Sequence, residues 1–315
     1  MITIQRALDK AEPALRRAFL RMIQAMKDAL PLEELATMLS SGRFEEALNT
    51  VLSASGKLGT AYNAGLVASA ESVAAQLEEA TGALGIDFDT TNYSAVDAMQ
   101  RNRLRLVTNF NQTQREVTRR ALIDGITRGA NPIEQARAFR DSIGLTVRQE
   151  RWVANYRRSL ELGRSDALDR RLRDHRFDSR VRAAVEGDRP LSAKQVDRMV
   201  ARYRERQLKY RADRIARTEA LKSVHEGQDL ALRQNVEGGQ LQGANLERIW
   251  NTAKDERTRP SHMAMHQQIR GYEEPFTSGA GHQAMYPGAF GVGSEDIHCR
   301  CVVSVRVKEV SLAGI

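Results

Sequence analysis

The sequence predicts a mainly α protein: an elongated bundle of long helices followed by a small α+β C-terminal domain. Three observations carry this class. Apolar residues recur at helical spacing over most of the first 237 positions. Charged residues make up 28% of the chain, aromatics 5%, and prolines number 7, a balance that suits long exposed helices better than sheets. After Gly238 and Gly239 the texture changes, and the last residues alternate with a period of two.

Leu15, Phe19, Met22, Ile23, Met26 and Leu30 make one face of a helix over 13–30, with Pro13 in its first turn and Pro31 ending it. Phe44, Ala47, Leu48, Val51 and Leu52 repeat the pattern in a shorter helix, and a small-residue helix follows over 58–80. Gly82–Ser94 holds Gly, Asp, Thr and Asn with little periodicity, which marks a boundary.

A long helix over 95–126 carries Val96, Met99, Leu106, Val107, Phe110, Val117, Leu122 and Ile126, and Gly129 closes it. Asn131 caps the next helix, with Pro132 in its first turn. Thr146 with Gln149, and Ser192 with Gln195, fit the capping box, in which a hydroxyl and a side-chain amide satisfy the free amides of a helix start. The first box opens a helix to about Leu162. The second opens one running through Glu219 to Gln234, with Gly227 as a candidate break.

In the tail, Arg248–Thr252 predicts a short strand and 260–267 a short helix. Cys299, Cys301, Val303, Val305 and Val307 alternate with polar neighbours as one face of a half-buried strand. The resulting division is 1–94, an N-terminal helical region; 95–237, an arginine-rich long-helix region; and 238–315, the α+β domain.

Charge is unevenly spread. Residues 1–100 hold 8 basic and 13 acidic side chains and residues 221–315 hold 10 and 11, whereas residues 101–220 hold 30 basic against 16 acidic, 28 of the 30 being Arg. Arginine forks onto phosphate or carboxylate oxygens, so a polyanion or an acidic surface is an expected partner of this segment. Its interspersed acids, as in 166–178, equally suit a solvated face laced by ion pairs one helical turn apart. Residues 1–9 lack a basic run followed by an apolar stretch, and no window has the apolar length of a membrane span. A soluble protein made in a reducing cytoplasm, without a membrane partner, is expected.

Both cysteines and four of the six histidines lie between Trp250 and Val303. Cys299 and Cys301 on one strand face would be about 6.6 Å apart at Cα, at the far end of disulfide range, and could simply be packed among the valines. Thiolates and imidazoles are also zinc's preferred ligands, and His262 and His266 lie four apart, so Cys299, Cys301, His262 and His266 form a candidate zinc set. The residues between the histidines are Met263, Ala264 and Met265, without the Glu of a metalloprotease helix. Phosphate-binding loops, dinucleotide fingerprints and nucleophile elbows are absent, and no residue is assigned as catalytic.

An ordered series runs through the last third: Arg217, Thr218 and Glu219 on a helix; a Gly turn; Trp250, Asn251 and Thr252; Asp255, Arg257, Arg259, Pro260 and His262; a spacer with Gly271, Phe276 and Pro287; and Cys299, Arg300 and Cys301. This series resembles the phage Mu F-like head morphogenesis family, also called minor head or minor capsid proteins. His298 stands where similar proteins often have Asn, and the preceding loop is Gly-rich rather than Pro-rich. The resemblance implies a component of the virion head interior, and a non-enzymatic one is expected. It would be made with the procapsid in the host cytoplasm, alongside scaffold or major capsid protein, associate with the portal protein and, in some relatives, be delivered with the DNA; the arginine-rich helices of residues 101–220 would be the part that contacts double-stranded DNA non-specifically. The alternative from another class is a metal-dependent hydrolase or toxin ejected with the genome, built on Asp255, His262 and Cys301. Zinc enters only through the Cys and His set.

Overall fold

The computed structural model describes residues 1–187 and 189–308. It is 66% helical, with a few antiparallel strands near the C-terminal end, which makes it mainly α. Nine helices precede the first strand among the described residues: α1 (Gln5–Asp28), α2 (Leu32–Ser40), α3 (Phe44–Leu52), α4 (Lys57–Thr81), α5 (Tyr93–Thr127), α6 (Pro132–Ser142), α7 (Val147–Glu161), α8 (Asp178–Val185) and α9 (Ala193–Glu237). The tail then runs β1 (Leu246–Asn251), α10 (Pro260–Met263), β2 (Ile269–Gly271), β3 (Phe276–Thr277), β4 (Gln283–Ala284), α11 (Gly293–Asp296) and β5 (Val302–Val307).

Three helix entries, those of α6, α7 and α9, follow local capping chemistry. The side chain of Asn131 accepts from the Glu134 amide and Thr146 from that of Gln149, each bond being returned to complete a capping box. Gln195 N donates to Ser192 Oγ at 3.3 Å while Ser192 N donates to Gln195 Oε1 at 2.8 Å, the same reciprocal arrangement. Two expectations need correction. α1 begins at Gln5 rather than Pro13, because partly buried Leu8 and buried Ala11 carry its apolar face toward the N-terminus. α9 is unbroken at Gly227, which serves close packing instead: a Cβ there would lie 2.2 Å from the Leu66 carbonyl oxygen.

The chain forms two compact units. One comprises residues 20–55 and 107–213. Its apolar cluster includes Leu145, Val153, Tyr156, Leu160, Phe177, Val181, Met199 and Tyr203, with the Tyr156 and Tyr203 rings 4.5 Å apart. The buried Gln114 amide secures the turn into α7, donating to the Leu145 carbonyl at 3.0 Å and accepting from Gly144 N at 2.7 Å.

The other unit comprises residues 1–19, 56–106 and the chain from Arg214 onward. Here the small residues of α4 let α9 approach: a Cβ on Gly65 would touch Ser223 and Ala11, and Ser69 Oγ donates to the Val224 carbonyl at 2.7 Å. Tyr62 and Asn102 both donate to Glu226, at 2.7 and 2.8 Å. The larger sheet of this unit has the order β2-β1-β5, all antiparallel, with Trp250 opposite Val303, and β3 pairs with β4 in a second, two-stranded one. Beyond β5, Ile2 bridges Val305 through two backbone bonds of 2.9 and 3.2 Å, so the N-terminal segment covers part of that edge. No helix among the described residues is long and apolar enough to cross a membrane.

Two tail elements are shorter than their sequence patterns suggest. The strand expected from Cys299 starts at Val302, because His298 takes a left-handed φ of 61° and Cys299 N bonds back to the Asp296 carbonyl at 3.2 Å. The helix expected over 260–267 stops at Met263. Met265 and His266 donate three residues back, to the His262 and Met263 carbonyls, and left-handed Gln267 turns the chain to donate to the Trp250 carbonyl.

Candidate metal centre

The site is built from the end of β1, the short helix α10, α11 and the chain entering β5. Trp250, fully buried, is its apolar floor, with the rings of Phe276, Phe290 and His262 set edge-on at 5.2, 5.8 and 5.9 Å. Pro260 opens α10 without needing an amide hydrogen bond and puts His262 into this pocket at 1% exposure. Residue alternation on the approach to β5 buries Cys299 and Cys301 on the same side, at 1% and 3% exposure.

Three ligand atoms converge there. His262 Nδ1 lies 3.5 Å from Cys299 Sγ and 3.4 Å from Cys301 Sγ, and the three lie within 4.8 Å of one another. Both thiols are free. Their acidities are split. Cys299 is pushed up by its hydrogen bond to Cys301 and by burial, while Cys301 is held down by that same bond and, against burial, by Trp250, Arg259 and Arg300.

The other face of the His262 ring meets an acid that the sequence did not mark. Nε2 lies 2.8 Å from Glu295 Oε2, although the angle at the ring nitrogen departs from that of a hydrogen bond. Glu295 is 3% exposed and accepts from Ser261 Oγ at 2.9 Å and Ser278 Oγ at 3.2 Å, with His282 Nδ1 at 3.1 Å. Burial acts against its charge, but the bonds from His282, Ser261 and Ser278 and the nearby His262 hold its carboxyl below the ordinary value.

His266 is placed elsewhere. Its Nδ1 is 3.2 Å from both Thr252 N and Thr252 Oγ1, and with α10 ending at Met263 the two histidines do not share an α-helical face. Asp255 is also outside the cluster. Arg300 grips both of its carboxylate oxygens, one at 2.6 Å, and Arg257 N and Thr258 Oγ1 each donate to it at 3.1 Å. With Arg300 as the main cause, its carboxyl lies well below the usual range, so Asp255 is a fixed anion that orders its turn.

Residues 181–304 match the family described as Phage Mu protein F like protein. These residues belong to the Mu F-like head morphogenesis family. The family is one of phage head morphogenesis proteins. A curated relative, the NAD(+)--arginine ADP-ribosyltransferase EFV of Enterococcus faecalis (strain ATCC 700802 / V583), is 35% identical over 98 residues. That stretch is 31% of this chain and 19% of the relative, so the chain spans about a fifth of that protein's length. No solved structure matches.

The Mu F-like motif residues turn out to be cross-links of one unit. Arg217 pairs with Glu12 at 2.9 Å and Glu219 with Arg105 at 2.7 Å, while Thr218 Oγ1 accepts from His298 N at 3.2 Å. Arg259 donates to the Ile297 carbonyl. The Thr218 and Arg259 bonds tie α9 and the α10 entry to the loop that delivers Cys299, while those of Arg217 and Glu219 tie α9 to α1 and α5.

Three Mu F-like residues escape the sequence pattern. Besides Glu295, buried Arg248 donates to the Met285 carbonyl at 2.8 Å and the Gly271 carbonyl at 3.0 Å, organising the irregular chain after β2. Fully buried His225 stands 2.9 Å from the Leu221 carbonyl through Nδ1 and accepts from Val303 N at 3.0 Å through Nε2. Each has a partner far away in sequence: Glu295 meets Ser261, Arg248 meets Met285 and His225 meets Val303. No local signal marks His225, which stands among Lys222, Ser223, Glu226 and Gln228.

Proposed function

We propose that this Mu F-like chain is a minor head protein that associates with the portal and holds packaged duplex DNA through its arginine-rich helices. The observation that carries the DNA part is the excess of basic over acidic side chains in residues 101–220, 30 against 16, nearly all of it guanidinium. Much of that charge is internally paired, as in Arg173 with Asp178 and Arg204 with Asp141 and Glu150. Other basic groups face solvent. Arg180, Lys194 and Arg198 are exposed around a cleft of about 210 Å³ that Phe177, Ser192, Gln195 and Met199 complete, a setting suited to a phosphate group.

Backbone recognition of this kind is electrostatic and indifferent to sequence. Affinity for duplex DNA, measured by fluorescence anisotropy, should fall steeply with salt, with a log–log slope of roughly 0.9 per phosphate contacted. Replacing Arg180, Lys194 and Arg198 with Gln should lower that slope while leaving sequence preference absent. Binding that is missing at low salt, or independent of salt, overturns the DNA reading. Locating the chain in a cryo-EM map of assembled heads tests the portal part, and its absence from the portal vertex would defeat it.

A further inference from the structure

We infer that Cys299 Sγ, Cys301 Sγ and His262 Nδ1 bind one zinc ion that holds the Mu F-like tail together, with Glu295 orienting the histidine. Tetrahedral zinc with bonds of about 2.3 Å to sulfur and 2.05 Å to nitrogen places those ligand atoms about 3.6 Å apart. The two observed S···N separations, 3.5 and 3.4 Å, match that spacing.

A purely packed core accounts for two buried thiols but not for their companions. Glu295 beside Nε2 is the arrangement by which a carboxylate selects the tautomer of a metal-binding imidazole and leaves Nδ1 free to ligate. Ser261 and Ser278 then position the carboxylate from two different segments. An acid at 3% exposure is costly to keep in an apolar pocket, and the bonds from Ser261, Ser278 and His282 hold its charge beside the His262 ring. With two thiolates and a neutral imidazole the zinc shell is itself uncharged, and any proton on a thiol leaves to solvent as the metal–sulfur bond forms.

The fourth position has a route to solvent. His262 and Cys301 border a small cleft lined also by Thr258, Arg259, His298 and Arg300, with room of about 10 Å³, the order that one water needs. His298 Nε2 lies buried there without a hydrogen-bond partner, so the cleft is polar enough for a water to join the shell. His266 is no ligand on this assignment, because the ligand atoms that converge within 4.8 Å are those of His262, Cys299 and Cys301, while His266 turns to Thr252.

The test is elemental analysis of the full-length chain, purified without a metal-affinity step, together with visible spectroscopy after cobalt(II) exchange. One zinc per chain is expected, and cobalt should show the intense d–d bands of a tetrahedral site with thiolate-to-metal charge transfer. Cys299→Ser and Cys301→Ser should each lose the charge-transfer intensity and most of the metal. Glu295→Gln should keep the ligands but weaken zinc binding roughly 10- to 100-fold. His266→Ala should retain full zinc. A folded wild-type chain with no zinc and no cobalt–thiolate spectrum overturns the proposal without relying on any variant's folding. Loss of zinc in His266→Ala with retention in His262→Ala overturns the ligand assignment. DNA affinity plays no part in these readouts.

Discussion

His225 and Val303 join the longest helix to the last strand: the imidazole Nε2 accepts the Val303 amide at 3.0 Å inside a fully buried site. Because Nε2 is the acceptor, Nδ1 carries the proton and faces the Leu221 carbonyl, 2.9 Å away. Protonating Nε2 would break the link and place a charge where water cannot reach it. Burial accordingly pushes the imidazole down to about 4.

This sets a pH dependence. The folded value lies below the ordinary histidine value of 6.5, so between those pH values the unfolded chain binds the extra proton. Stability is therefore unaffected by this group above about pH 6.5 and declines as pH falls from there toward 4, by on the order of 3 kcal/mol. Urea unfolding of the wild type and His225→Gln across this range provides the measurement. The variant's stability should vary less with pH, and parallel curves would show that His225 does not contribute this dependence.

Gly227 offers a test of the α4–α9 approach. Gly to Ala inside a helix ordinarily stabilises by about 1 kcal/mol. Here the added Cβ would meet the Leu66 carbonyl oxygen at 2.2 Å, so Gly227→Ala should destabilise, by roughly 1–3 kcal/mol. Gly125 in α5 is the control, since its Cβ would find its nearest neighbour, Gln135, at 3.4 Å. Thermal unfolding that ranks the two variants in the opposite order would contradict the packing described.

Asp255 tests the ordering of the loop before α10. In Asp255→Asn the Arg300 guanidinium loses its two-pronged ionic partner, and the turn at Arg257 and Thr258 loses its anionic acceptor. Trypsin should then cut after Lys254 and Arg257 at a higher rate than in the wild type. Arg300→Lys should resemble it, because an ammonium does not reproduce the fork. Unchanged cleavage in both would mean that other contacts hold this loop.

The tail shows where sequence reading reaches its limit. Alternation from Cys299 onward correctly put both thiols on one buried side, because a two-residue period survives even where the ladder bonds do not start until Val302. The four-residue spacing of His262 and His266 misled, because it presumed a helix that tightens and turns away after Met263. Nothing near Glu295 in the chain announces a histidine partner 33 positions earlier, and only folding reveals the pair.

What the sequence by itself determined are the features set by neighbours along the chain. The helices follow from apolar period, their entries from Asn131, Thr146 and Ser192, and the concentration of charge from the arginines of residues 101–220. The Mu F-like identity of residues 181–304 belongs here as well, since an ordered motif can be read without coordinates. The tertiary structure alone decided which histidine meets the thiols, which acid stands behind it, and that Asp255 answers Arg300. The physical reason is that helix periodicity and capping act over a few residues. The convergence of His262, Glu295, Cys299 and Cys301 depends instead on how β1, α10, α11 and β5 pack around Trp250.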